Sequence, residues 1–464
     1  MKKLTVHDVL SVCDAKLFFG NEDCILKNFS KDTRTIQNGD VYLGIQGENF
    51  DGNVFYLKAL EKGASCCILD HFDESSFDQE IYSDRTIVLV EDTLLAIQQL
   101  ATYKRNLVDI PVIAVTGSVG KTSTKDMIAS VLSQKYHVLK SEGNLNGQLG
   151  LPLNILKLED EEVMVLEMGM NDFGQISILT NIAKPTIGVI TNIGTAHIGI
   201  LGSRENILKS KLEILEGMQK GSQLVINYDN DLLSQMDLPD YHIIKCAIHT
   251  PADFEASDIE ILENESQFMV HDQVSKYPSL IHAMGEAFIE NSLLSIAVGN
   301  ILHLTTKEIQ TGLETFKMSG NRMEMITLKD GITLINDSYN SNYEAIISAL
   351  DTLVRVPGKR KIAVLGDVLE MEDYAKEIHD KIGHIDSLTK MDAIFLNGES
   401  ALFIKEGAIA NGISSDRIYY FEQREDLLKS LLAYLKPKDK VLIKASNGMR
   451  FFEIVDKIKE SYSK

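Results

Sequence analysis

The stretch VIAVTGSVGKTSTKDMIASVL, residues 112–132, restricts the possible fold more than any other part of the chain. An apolar run, Val112–Val115, meets a small-residue loop ending in Gly120-Lys121-Thr122, and a helical pattern follows. A phosphate cradle needs converging backbone N–H groups, a helix N-terminus behind them and one cation. Gly117 and Gly120 let the backbone turn and approach closely, with Ser118, Val119 and Ser123 completing the loop. Lys121 supplies the charge, and Thr122 a hydroxyl suited to Mg²⁺. The eight-residue consensus G-x-x-x-x-G-K-[ST] wants glycine at 115, where this chain has Val115. That position lies at the strand end, so its loss does not remove the cradle. A strand, loop and helix of this kind belong to an α/β sheet that binds a nucleotide.

With 464 residues the chain exceeds one core. Three segments differ in content. Short strand candidates occur at 40–45, 64–70 and 85–90, and a helical run at about 93–107 leads to the loop. Strand candidates at 162–169, 186–194 and 222–229 then alternate with helical patterns, ending in helices near 290–301 and 306–316. Nearly continuous apolar strands alternating with helices point to a parallel sheet covered on both faces. From about Gly320 the pattern restarts, with strands expected at 332–340, 361–367, 392–398, 417–422 and 440–446. Ser341 and Glu344 read as a capping box ahead of a helix with Ala345, Ile346, Ala349, Leu350 and Leu353 on one side.

The net charge of −21 opposes a general nucleic-acid or anionic-membrane binder. No run approaches the ~18 apolar residues of a membrane span. The five cysteines lack metal spacing and read as reduced, buried thiols of a cytoplasmic protein.

Glu167 ends an apolar strand, at the sheet mouth where α/β ligands bind. His197 follows the next strand candidate at a similar level, although a lone loop histidine is equally at home in solvent. Lys211 looks locally like one more helix-surface lysine, on a helix that Ser203 could cap. Asp337 fits ordinary turn chemistry and Arg322 a solvated loop.

Taken in this order, the loop, Glu167, His197, Lys211, Arg322 and Asp337 resemble the Mur ligases along essentially the whole chain. TGSVGKTSTK is similar to that family's phosphate loop, which lacks the earlier glycine. LEMGM, ITNIGTAHIGILGSRENILKSKLEI, SKDTR with GENFDG, INDSYNSN and LGDVLEM carry the rest. The resemblance implies three domains: a UDP-sugar-peptide domain (1–95), a central P-loop parallel-sheet ATPase domain (96–317) and a Rossmann-like C-terminal α/β domain (318–464). It implies an ATP- and Mg²⁺-dependent ligase of peptidoglycan precursor synthesis, acting in the cytoplasm as a monomer. The implied substrates are UDP-N-acetylmuramoyl-tripeptide and D-alanyl-D-alanine, joined through an acyl phosphate. The implied chemistry falls to Lys121, Glu167, His197 and Lys211. Thr122, Glu167, His197 and a carbamylated Lys211 would hold the metal. Nucleotide contacts would come from residues 117–123 with Asn291, Arg322 and Asp337. Substrate contacts would come from Asp32, Thr33, Arg34, Asn49, Asn144, Asn146, Tyr339, Asn340 and Asn342. The chain departs from the family pattern at Gly147, Ala287, Phe288, Tyr343, Ala445 and Asn447. Another amide ligase of the same family is the nearest rival, and a catalytically weak nucleotide-binding relative the next.

Overall fold

In the computed structural model, which describes residues 3–262, 264–318 and 320–462, the apolar runs become the strands of three main sheets. The architecture is α/β throughout. The first sheet has five strands, ordered Lys16–Phe19, Thr86–Leu89, Cys66–Leu69, Val41–Leu43 and Phe29–Ser30. Its first pair is antiparallel and the others parallel. The helix Thr93–Asn106, capped by Asp92, leads from this sheet into the next, burying Ala96, Ile97, Leu100 and Ala101.

The central sheet has nine strands. Val112–Thr116 lies between Val163–Glu167 and Ile187–Ile190, and every residue of these three strands is buried. Strands covered on both faces need no polar alternation, which is why they read as unbroken apolar runs. After Val112–Thr116 the chain adds strands on one side, Val138–Lys140 and then Val163–Glu167, before crossing to Ile187–Ile190 on the other. The phosphate loop therefore leaves the sheet where its strand order reverses, the place where open α/β sheets bind ligands. Beyond Gln223–Asn227 come His242–Ala247, Phe254–Ile261, Ser266–His271 and Lys276–Ile281. The last two pairings are antiparallel. These outer strands were absent from the sequence reading, because polar residues interrupt their apolar positions and they are only partly buried.

The third sheet orders Glu324–Thr327, Thr333–Asn336, Lys440–Lys444, Lys361–Gly366, Ala393–Asn397 and Ile418–Phe421. All but the first pair are parallel. The expected helix after residue 341 forms as Tyr343–Arg355 and buries Ile346, Ala349, Leu350 and Leu353. Its expected capping box does not form. Asn342 is the N-cap and accepts from the Ala345 N–H at 2.9 Å. The Glu344 carboxylate instead accepts from Thr195 Oγ1 of the central segment at 3.0 Å.

Cys13, Cys66, Cys67 and Cys246 are buried free thiols, whereas Cys24 is partly exposed. No helix of the described residues is long and apolar enough to cross a membrane.

Candidate active site

The central pocket, about 440 Å³, opens at the phosphate loop. The loop's geometry follows from its two glycines. Gly117 has φ +150°, and a Cβ there would sit 1.9 Å from Thr191 Oγ1. Gly120, at φ 83°, is the N-cap of the helix Lys121–Leu132. The first-turn amides of that helix have no acceptor within it, so they are available to an anion. The loop is already braced on its other side. Ser118 N donates to Asn192 O at 3.0 Å, Val119 N donates to Asn192 Oδ1 at 2.9 Å and Gly194 N donates to Ser118 Oγ at 2.9 Å. Asn192 was not foreseen, although an asparagine just past a buried strand was a usable signal.

Lys121 folds back over the loop, its Nζ 2.8 Å from Gly117 O. Burial lowers its pKa, the Glu167 charge opposes that shift and the Arg322 charge adds to it.

Strand register brings Glu167 to the loop. Its Cα partner across the sheet is Val115, two residues before Gly117. The carboxylate is buried and each oxygen accepts one side-chain hydrogen bond: Oε2 from Thr122 Oγ1 at 2.8 Å, and Oε1 from Asn146 Nδ2 at 2.8 Å. Behind it, Ser141 Oγ accepts from Glu167 N at 3.0 Å, and Lys125 Nζ donates to Ser141 O at 2.8 Å. A buried lysine thus fixes the segment that positions both Glu167 and Asn146.

His197 occupies left-handed backbone at φ 64°. Burial, then the charges of Lys121 and Lys211, pull its pKa down to about 4. The imidazole is neutral at neutral pH, the form that binds a cation. Lys211 is not a surface lysine: its side chain is 2 % exposed. Burial first, and the Lys121 charge second, hold its amine well below the usual lysine value. Ser203 caps its helix as expected, accepting from Asn206 N.

The opposite wall comes from the C-terminal segment. Arg322 stacks over the Tyr339 ring at 3.8 Å. Asp337 pairs with buried Lys444 at 2.6 Å, and Lys444 also donates to Asn340 O at 2.9 Å. Asn447 donates to Tyr339 O at 2.9 Å. Lys444 was missed in the sequence, although it ends an apolar strand as Glu167 does. Asn291 lines the pocket, but its Oδ1 accepts from Thr124 Oγ1 at 2.9 Å, bracing the loop helix. Asn342 also lines the pocket, with its oxygen committed to the helix cap.

Other expected substrate residues stand apart from this pocket. Asp32 and Arg34 form an ion pair at 2.7 Å, with the guanidinium mostly exposed. Its hydrogen bonds to Arg34 hold the Asp32 carboxyl down at about 2. Thr33 is buried beside them, Asn49 lies in the exposed turn between Gln46–Gly47 and Phe50–Asp51, and Asn144 is exposed.

Residues 115–299 match the Mur ligase middle domain, and residues 321–447 match the Mur ligase, glutamate ligase domain. The UDP-N-acetylmuramoyl-tripeptide–D-alanyl-D-alanine ligase of Bacillus subtilis is 34% identical over 442 residues, 95% of this chain and 94% of that protein. MurF from Acinetobacter baumannii superposes with a TM-score of 0.88 at 26% identity, covering 99% of both chains. MurF from Thermotoga maritima, solved in complex with ADP, superposes at 0.83 with 28% identity, covering 96% of this chain and 99% of that one. These matches cover nearly the whole chain, and it belongs to the Mur ligase family of ATP-dependent, amide-bond-forming ligases.

Proposed function

We propose that the chain joins D-alanyl-D-alanine to UDP-N-acetylmuramoyl-tripeptide at the expense of ATP, in peptidoglycan precursor synthesis. The observation that carries this reading is the full-length correspondence with relatives of that activity, together with one pocket lined by the phosphate loop and by Arg322, Asp337 and Lys444. A carboxylate is a poor electrophile, so its ligation to an amine needs activation. The tripeptide carboxylate would attack the γ-phosphate to give an acyl phosphate, and the dipeptide amine would then displace phosphate.

The protein's share is alignment and charge neutralisation. Lys121 and the first-turn amides hold phosphate oxygens. Arg322 and Asp337 complete the nucleotide site from the other wall, and closure between the walls keeps water from the acyl phosphate. Tyr339, Asn340 and Asn342 lie where substrate enters, while Asp32, Thr33, Arg34 and Asn49 would serve the nucleotide-sugar end.

The residues present suit Mg²⁺. Thr122 and Glu167 offer hard oxygen donors, and neutral His197 and buried Lys211 stand nearby. Among the described residues no three His, Cys, Asp or Glu side chains converge, so phosphate oxygens and water would complete the coordination. When bound, the cation neutralises phosphate charge and orients the attacking carboxylate. Lys211 supports the second position as a carbamate. Its lowered pKa leaves the neutral amine that combines with CO₂, releasing one proton and leaving an anion.

We place the enzyme in the cytoplasm as a monomer. Crossing UDP-muramoyl peptides with amino acids and dipeptides in an ATP-dependent ligation assay tests the proposal. Product is expected only with the tripeptide and D-alanyl-D-alanine. Preference for a single amino acid would assign another family activity, and no product with any pair would indicate a nucleotide-binding relative.

A further inference from the structure

The turn that follows strand Lys361–Gly366 has no role in the site described above. It carries two non-glycine residues in left-handed backbone, Glu370 at φ 64° and Glu372 at φ 45°. Such conformations are sparsely populated by non-glycine residues and persist only where the surroundings over-determine them. Here the surroundings are the central segment. The turn docks so closely on Gly199 that a Cβ there would lie 2.7 Å from Glu370 O and 2.9 Å from the Met371 carbonyl carbon. Tyr374 fastens the same turn by donating its hydroxyl to Gly202 O at 2.5 Å.

The docking delivers the Glu370 side chain into the central pocket. Its Oε2 lies 3.0 Å from His197 Nδ1, but the two do not meet in hydrogen-bonding geometry, and among the described residues that nitrogen has no hydrogen-bond partner. The other pocket carboxylates are committed. Glu167 is held by Thr122 and Asn146, and Asp337 by Lys444. Among the described residues no hydrogen-bond donor is directed at Glu370, whose side chain is 60% exposed. A strained, clamped turn thus presents one uncommitted anion to the reaction pocket, from the wall opposite the phosphate loop.

Resting on the proposed ligase reading, we infer that Glu370 is the residue that binds the ammonium group of the incoming dipeptide. The phosphate loop, Lys121 and Arg322 suit anions. An acceptor that arrives as a cation needs an anion that is not already paired, and Glu370 meets that requirement beside His197.

The test is steady-state ligation by wild type, Glu370→Gln, Glu370→Asp and Tyr374→Phe, varying each substrate in turn. A hydrogen bond to a charged group contributes about 1.5–3 kcal/mol, or about 10- to 100-fold in affinity. Glu370→Gln is expected to raise KM for D-alanyl-D-alanine by that factor, leaving KM for ATP and for the nucleotide peptide, and the Mg²⁺ dependence, within about twofold. Glu370→Asp should recover part of the loss. Inhibition by D-lactyl-D-alanine, which has a hydroxyl in place of the amine, should be unchanged by Glu370→Gln.

An unchanged dipeptide KM would overturn the inference. So would a parallel rise in all three KM values matched by Tyr374→Phe, which marks a docking role, or a shift in Mg²⁺ dependence, which marks a metal ligand. If wild type shows no ligation, the ligase reading fails by itself. Equilibrium binding of D-alanyl-D-alanine to wild type and Glu370→Gln then decides Glu370 separately, equal affinities refuting it.

Discussion

Two lysines of the site illustrate how residue-scale chemistry depends on surroundings. Lys121 is fixed over the loop by Gly117 O, and its task is to offset phosphate charge. Lys121→Ala should lower turnover about 10²–10³-fold, a loss of about 3–4 kcal/mol in transition-state stabilisation. Thermal unfolding of the variant should stay near that of wild type. Lys211 is buried, and its amine is held well below the usual lysine value by that burial and then by the Lys121 charge, which suits a carbamate and not an ammonium. Lys211→Ala should therefore lose most activity and regain part of it with added short carboxylates. Lys121→Ala should show no such rescue, and Lys209→Ala, altering an exposed lysine of the same helix, should behave as wild type. A third expectation concerns Glu290, whose carboxyl is pushed up to about 7 by burial and then by the charges of Asp229 and Glu286. Between pH 4.5 and 7 the folded protein holds this proton more tightly than the unfolded chain does. Its contribution to stability is thus complete below pH 4.5 and is lost as pH rises through 7. Glu290→Gln should flatten that fall and stabilise the protein at pH 8 by about 1–3 kcal/mol, measured by urea unfolding across pH. Glu167 was legible in the sequence because a carboxylate ending a buried strand has few other reasons to be there. The burial of Lys211 was not, because the third dimension, and not the local helix pattern, removes it from water.

Elements were legible where one pattern dominated. The buried strands around the loop and the helix Thr93–Asn106 followed from apolar runs and 3.6-residue spacing. The outer central strands escaped because half-buried alternation competes with loop composition. The helix Tyr343–Arg355 shows a subtler failure. Ser341-x-x-Glu344 satisfies the capping-box pattern, yet Asn342 takes the cap and Thr195 takes Glu344. A side-chain partner from another segment outcompeted the local one. Asn342→Ala should therefore cost about 1 kcal/mol of stability. Ser341→Ala should cost nothing measurable, since its buried hydroxyl has no hydrogen-bond partner. Chemical denaturation of the two variants, read beside dipeptide KM because both residues line the pocket, separates capping from substrate contact.

At the scale of the whole molecule, the central and C-terminal segments share apolar packing and are also bridged by polar contacts. Thr195 donates to Glu344, Arg355 pairs with Glu286 at 2.8 Å, and Tyr374 donates to Gly202 O. The Arg355–Glu286 ion pair is exposed enough to contribute only about 0–1 kcal/mol. Arg355→Ala combined with Tyr374→Phe should therefore enlarge the radius of gyration in small-angle scattering while leaving secondary structure unchanged. A scattering curve identical to wild type would show that apolar packing alone holds the two segments together. The three-part layout was legible from restarting strand patterns, but these contacts were not, since each joins residues far apart in the chain. The shared pocket has a calorimetric consequence. A ligand that touches both walls stabilises neither segment alone, so its binding free energy is lost only when the walls part. Without nucleotide, heating should melt the segments as overlapping, separable endotherms. With saturating nucleotide they should merge into one sharper endotherm at higher temperature.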